Sequence, residues 1–326
     1  MMKNKMDRFI GLIGLGYWGK NILRNLYELN VLHTACDFDE RVIEERRKDF
    51  PDVNYTQEVN DIFQNPEITS VAIATPTVTH YELVKKALLN SKDVFVEKPM
   101  AVSVKEGEEI VKLAEEKGKI LMVGHILQYH PAVSKLKEMI NNNVIGDILY
   151  IYSHRLNIGK IRKDENAWWS LAPHDVSMIL SIVGDMPIKM YSQGFGFITK
   201  GIEDGVLASF EFNNGVKGHI FVSWWHPYKE QKLVIIGTDG MIVFDDTTKE
   251  KLFLYPHKVE FNNGFPIAKK EEMQVIPIEN SEPLKLELLH FIECVKERKR
   301  PITDGYEGLR VLTILRRAFR DENDRC

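Results

Sequence analysis

The stretch GLIGLGYWGKN, residues 11–21, constrains the fold of this 326-residue chain more than any other. The run RFIGLIG that leads into it is short and apolar, as a buried parallel strand requires. From Trp18 onward, WGKNILRNLYEL puts Ile22, Leu23, Leu26 and Leu29 on one side of a helix. Gly14, Gly16 and Gly19 therefore stand between a strand and a helix. In that setting Gly14 allows the tight turn, Gly16 lets the backbone approach a pyrophosphate, and Gly19 lets helix and strand pack closely. The helix N-terminus then turns free N–H groups toward the anion.

A glycine loop alone is a weak sign, and the next strand strengthens it. VLHTACD ends at Asp37, 18 residues after Gly19, where a carboxylate binds the ribose 2′-hydroxyl of NAD. It would repel the 2′-phosphate of NADP, and the nearest following arginine is Arg41. NAD is expected over NADP, with Gly14, Gly16, Tyr17, Trp18, Gly19 and Asp37 as cofactor contacts. The βα rhythm continues through SVAIATP (70–76), YELVKKALLN, DVFVEKP (93–99), KEGEEIVKLAEEKG and ILMVGH (120–125). Such alternation predicts a doubly wound parallel sheet, with ligands beyond the carboxyl ends of its strands. Thr75, Pro76, Thr77, Glu97, Lys98 and His125 all fall at such ends.

The length suggests two domains, divided at 125/126: a Rossmann domain over 1–125 and a second domain over 126–326. In the second, strand-like runs (DILYIYSHRLN, VLASFEF, VKGHIFVSWW, KLVIIGT, MIVFDD) are separated by turn signals such as NNG at 213–215 and TDG at 238–240. They predict an α+β domain with an open-faced, mostly antiparallel sheet. Two C-terminal helices are expected to pack back at the domain interface. In HIFVSWW both faces look partly buried, so a homodimer or homotetramer through the open sheet is expected.

Composition excludes several classes of function. A net charge of −4 gives no global basic field for nucleic acid. No apolar run reaches the roughly 18 residues of a membrane span, and the basic start MMKNKMDR leads into a strand rather than a signal peptide. Cys36, Cys294 and Cys326 form no CxxC pair, which fits a reduced cytoplasm. The ten histidines are scattered, and His125 and His130 lack carboxylate or cysteine partners at ligand spacing, so no metal is expected.

At Glu97-Lys98-Pro99 the pattern becomes specific. GLIGLGYWG, ATPTVTHYELVKKAL, VFVEKPMAVSVKEG, ILMVGHILQYHPAV, GDILYI and PITDGYEGLRVL occur together and in order. The chain resembles the glucose–fructose oxidoreductase / inositol dehydrogenase / MocA family over nearly its whole length. The resemblance implies NAD(P)-linked oxidation or reduction of a sugar or cyclitol hydroxyl. It implies that Lys98 is the catalytic lysine, and that Thr75–Thr77, His80, Glu97 and the region around Gln128 line the cofactor. A lysine near the reacting oxygen can stabilise the developing alkoxide. The family's second catalytic element is an Asp, three intervening residues and a His. Here His174 matches the histidine, but Ser170 stands at the Asp position, which leaves the carboxylate of that mechanism in doubt. Asp175, the next residue, is a candidate in its place.

Residues 153–170, SHRLNIGKIRKDENAWWS, gather Arg155, Lys160, Arg162 and Lys163 near Asn157, Trp168 and Trp169. A free monosaccharide needs no such positive cluster, whereas the pyrophosphate of a nucleotide sugar does. The segment also resembles the family's UDP-N-acetylglucosamine 3-dehydrogenase branch. That implies a UDP-sugar oxidised at C3, with Arg155, Asn157, Arg162, Trp168, His174 and Asp175 at the substrate. The competing readings are a dehydrogenase of a free sugar or inositol, and a non-catalytic NAD-binding regulator.

Overall fold

The computed structural model describes residues 8–163 and 165–319; the basic residues 1–7, Asp164 and Cys326 lie outside this range. The chain divides into two compact units. One comprises residues up to Ile126 together with Glu282–Leu312, and the other Leu127–Ser281 with residues from Thr313 on. The first unit is thus completed by residues from far along the chain.

Its strands are β1 (Ile10–Ile13), β2 (Leu32–Cys36), β3 (Asn54–Thr56), β4 (Ser70–Ile73), β5 (Asp93–Glu97) and β6 (Leu121–Gly124). Between them run α1 (Gly19–Glu28), α2 (Glu40–Asp49), α3 (Val59–Phe63), α4 (His80–Leu89) and α5 (Val104–Glu116). The strands pair in the order β3-β2-β1-β4-β5-β6, and every pairing is parallel. Strands β1 and β4 are buried at every position, as the unbroken apolar runs require. Helix α5 opens with a capping box, Ser103 with Glu106, and stops before Gly118 at φ +59°. Strand β3 is a three-residue edge strand with little apolar character, so no hydrophobic run announces it.

In the second unit α6 (Pro131–Asn141) precedes the long strand β7 (Ile148–Ile158), followed by α7 (Ala167–Val183). Then come β8 (Lys189–Phe195), β9 (Gly205–Glu211), β10 (Lys217–Ser223), β11 (Trp225–Gly237), β12 (Met241–Asp245) and β13 (Leu252–Tyr255). A separate hairpin of β14 (Lys258–Asn262) and β15 (Phe265–Lys269) follows, then the short β16 (Gln274–Val275). Helix α8 (Pro283–Glu297) and the first part of α9 (Gly305–Arg317) belong to the first unit. Eight strands form one sheet in the order β16-β13-β12-β11-β7-β10-β9-β8, antiparallel except where β7 runs parallel to β10.

Helix α7 lies against β7, β9 and β10. On that side Ile220, Val222 and Trp224 are buried, whereas Phe221 is half-buried and Trp225 exposed. The two faces of HIFVSWW are therefore unequal, and the sheet is open on one side. That open face carries Tyr150, Tyr152, His154 and His219, with Tyr152 stacked on His219 at 5.0 Å. Among the described residues no helix is long and apolar enough to cross a membrane.

Candidate functional site

The glycine loop has the properties its spacing requires. Gly14 adopts φ +94°, and a side chain there would strike the Ala74 carbonyl at 2.6 Å. A Cβ on Gly19 would come within 2.0 Å of the Gly14 carbonyl oxygen, so only glycine lets α1 start this close to β1. Gly16 is different: nothing lies within 4 Å of its Cβ direction. That open space lies over an exposed loop at the start of α1, where a pyrophosphate is expected. Tyr17 is exposed beside it, and Trp18 partly so.

Asp37 stands just past β2 and is nearly buried. Its Oδ2 accepts from the Leu15 N–H at 2.7 Å and its Oδ1 from the Asp39 N–H at 3.0 Å. Each oxygen keeps a second lone pair for a ribose hydroxyl. The Leu15 bond fixes the carboxylate against the glycine loop, a role the sequence did not reveal. Arg41 is engaged by Asp39 at 2.8 Å.

Thr75–Thr77 follow β4, and Thr75 Oγ1 shares a hydrogen bond with Thr79 Oγ1 at 2.7 Å. His80 is buried and braces two loops: Nε2 faces the Thr75 carbonyl at 2.9 Å and Nδ1 the Pro99 carbonyl at 2.8 Å. Burial holds this imidazole below its usual value, and the Lys98 charge adds to the effect. His80 therefore positions the segments that carry Thr75 and Lys98. At the end of β5, Glu97 Oε1 accepts from Trp18 Nε1 at 2.5 Å, linking the glycine loop to the Glu97–Lys98 pair. Burial pushes the Glu97 carboxyl up to about 7, although the Trp18 bond and the Lys98 charge both pull it down. His125, just past β6, is paired with Glu307 at 2.5 Å. One group escaped the sequence reading altogether: Glu287, fully buried on α8 with neither carboxylate oxygen hydrogen-bonded. Its position four residues before Phe291 on an apolar helix face was the only available signal.

The second unit places its marked residues otherwise. Arg155, in β7, is buried, and its Nε and Nη2 donate to Asp175 at 2.7 and 3.1 Å. Ser153 Oγ donates to the same carboxylate at 2.6 Å. Burial would lower the guanidinium, but the Asp175 charge and bonds outweigh it and raise it. Arg155 and Asp175 thus satisfy each other. The reason lies in the strand period: Ser153 and Arg155 point to the buried side of β7, and an arginine buried there needs an anion. Trp168 is likewise fully buried, its Nε1 donating to the Leu315 carbonyl at 3.1 Å. Gln128 is also buried; its amide donates to Ser177 and Ser181 at 2.7 and 3.1 Å and accepts from Lys137. Those bonds tie Gln128 into its own unit.

Asn157, Arg162 and His174 are half-buried, and Lys160 and Lys163 are exposed. Arg162 bonds Glu165 at 2.9 Å. Helix α7, which carries His174, is capped by Asn166 and closed by Gly184 at φ +82°.

Known proteins agree with this arrangement. Residues 9–125 match the oxidoreductase family with an NAD-binding Rossmann fold, and residues 133–243 match the GFO/IDH/MocA C-terminal domain. The chain is 26% identical over 316 residues to scyllo-inositol 2-dehydrogenase (NAD(+)) of Bacillus subtilis, covering 92% of this chain and 88% of the relative. It is 24% identical to UDP-N-acetylglucosamine 3-dehydrogenase of Acidithiobacillus ferrooxidans, covering 93% of each. The solved structure of that enzyme superposes with a TM-score of 0.83 over 95% of both chains, at 22% identity. Levoglucosan dehydrogenase, solved with NADH and levoglucosan, has a TM-score of 0.81 over 95% of both chains, at 20% identity. With both domains of the family matched in order, on a glycine loop and strand ends shaped for NAD, this chain belongs to the GFO/IDH/MocA family of NAD-binding oxidoreductases.

Proposed function

We propose that the protein is an NAD-dependent dehydrogenase that oxidises a secondary hydroxyl of a UDP-N-acetyl sugar, with C3 of UDP-N-acetylglucosamine as the first candidate. The observation that carries the dehydrogenase reading is the Trp18–Glu97 bond, which ties the glycine loop to the strand end that presents Lys98. Bound NAD supplies the acceptor for the hydrogen and electron pair leaving the carbinol carbon. The chain itself must take or stabilise the hydroxyl proton, and Lys98 is the group for that task, with His174 as the second candidate base. Glu97 beside Lys98 favours the ammonium when ionised and releases it when protonated.

For the nucleotide, the exposed Lys160 and Lys163 and the half-buried Arg162, now bonded to Glu165, are the candidate cations, and the UDP-N-acetylglucosamine 3-dehydrogenase relative supports the reading. The mutual pairing of Arg155 with Asp175 favours a second reading, a dehydrogenase of a free sugar or cyclitol, as in the inositol dehydrogenase relative. NADH formation across a panel of UDP-sugars and free polyols decides between them. A free polyol that matches or exceeds every UDP-sugar removes the nucleotide reading. Binding of NAD with no turnover of any alcohol removes the enzyme reading in favour of a regulator. We also propose a homodimer or homotetramer through the open sheet face, checked by light scattering on wild type and on Phe221→Glu.

A further inference from the structure

Glu287 is the largest unexplained polar feature among the described residues. Helix α8 lies over β5, with Phe291 against Phe95 at 5.9 Å between ring centres. One turn earlier on the same helix face stands Glu287. Its exposure is 0%, and neither oxygen has a hydrogen-bond partner. The charges that act on it are carboxylates: Glu97 from β5 and Glu307 from α9. Beyond them, Lys98 and His125 act on Glu97, and His125 is bonded to Glu307. The Glu97 carboxyl itself lies against β6, where a Cβ on Gly124 would meet its oxygens at 3.1 Å.

A buried carboxylate with no donor and two like neighbours cannot hold its charge. We infer that Glu287 is kept as a neutral carboxylic acid and acts as a positioning residue, keeping a second negative charge away from Glu97 and Lys98. Burial first, then the charges of Glu97 and Glu307, hold the Glu287 carboxyl well above its usual range, which agrees with the geometry. Were Glu287 to ionise, a second negative charge would act on the pocket of Lys98 and bind its proton more tightly. The inference rests on the reading of Lys98 as the group that handles the hydroxyl proton.

The linkage has a definite sign. In the unfolded chain Glu287 ionises near its ordinary value of 4.5, while the folded chain retains the proton. Between those two values the folded state binds more protons, so this residue makes stability fall as pH rises. The glutamine variant has the same shape and no such slope. The thermal midpoint of the full chain is therefore measured from pH 5 to 8 for wild type and Glu287→Gln. The midpoint of Glu287→Gln should gain on wild type by about 2 °C or more per pH unit, on top of any constant offset. A Glu287 that ionises in the folded chain near its ordinary value gives only the offset. In kinetics, the alkaline limb of kcat/KM, where it reports the Lys98 proton, should move down by about one pH unit or more in Glu287→Gln, because glutamine cannot supply the second negative charge that binds that proton more tightly. Parallel midpoints across the range, or an alkaline limb that stays in place, overturns the proposal. If Glu287→Gln does not fold, Glu287→Met serves the same comparison, because it too removes the titration. The stability measurement needs no substrate, so its failure is distinct from a wrong choice of sugar.

Discussion

At the carboxyl ends of β1, β2, β4 and β5, the residues marked by the sequence lie side by side and keep capacity for a ligand. Gly16 opens onto free space, and Asp37 retains lone pairs after bonding Leu15 and Asp39. In the segment 153–175 several marked residues are engaged inside the fold instead. Arg155 and Asp175 form a buried bidentate pair, and Trp168 fills the core. Asp37 and Asp175 show the contrast most sharply: both are buried aspartates, one anchored by backbone N–H groups, the other by a guanidinium and a hydroxyl. A parallel sheet with helical crossovers puts every strand end on one edge, so sequence position alone marks the ligand side. An open antiparallel sheet has no such edge, and a cation in one of its strands faces core or solvent according to a period of two.

The largest expected effect tests the structural half of this contrast. Arg155→Ala leaves Asp175 buried and unpaired, and should lower stability by about 3–5 kcal/mol, read by chemical denaturation. The double replacement Arg155→Met with Asp175→Leu should recover most of that loss, since a buried ion pair is often replaceable by apolar groups. A folded, stable Arg155→Ala with only a raised KM for a UDP-sugar would return Arg155 to the substrate.

Next comes the catalytic edge. Lys98→Met should lower kcat by about 10²-fold or more and leave NADH affinity, followed by fluorescence titration, nearly intact. Near-normal turnover would remove Lys98 from the mechanism. Arg162→Ala sharpens what remains of the basic segment. It should raise the KM for a UDP-sugar about ten-fold, the effect of one lost charge-assisted bond, with the KM for NAD unchanged. The smallest effect is at the ribose. Asp37→Ala should narrow the preference for NAD over NADP by a few-fold to about ten-fold, seen by varying each cofactor in turn. A wild type that prefers NADP would defeat the assignment of Asp37.

Much was legible before any coordinates. The strand–glycine–helix order, the βα alternation as far as Gly124 and the change to strands beyond it follow from hydrophobic period and turn residues, which are local properties of the chain. The Asn166 cap and Gly184 stop of α7, and the turn at Gly215, are local in the same sense. The β14–β15 hairpin was missed because its residues are mostly exposed and carry no buried alternation.

What only the tertiary structure decided is where each marked side chain finds its partner. Arg155 reads as one of a cluster of cations, and only the fold shows β7 turning it inward to meet Asp175, 20 residues away. His80 and Gln128 read as residues lining the cofactor, and the structure adds that their polar atoms bond Thr75 and Pro99, and Ser177 and Ser181. Glu287 reads as an ordinary helical glutamate until α8 is laid over β5 and burial takes away its water. Periodicity and turn chemistry act between near neighbours, so the sequence determined the elements and their order. Desolvation and ion pairing act between residues brought together from far along the chain, so only the folded structure decided which charges are free to meet a ligand.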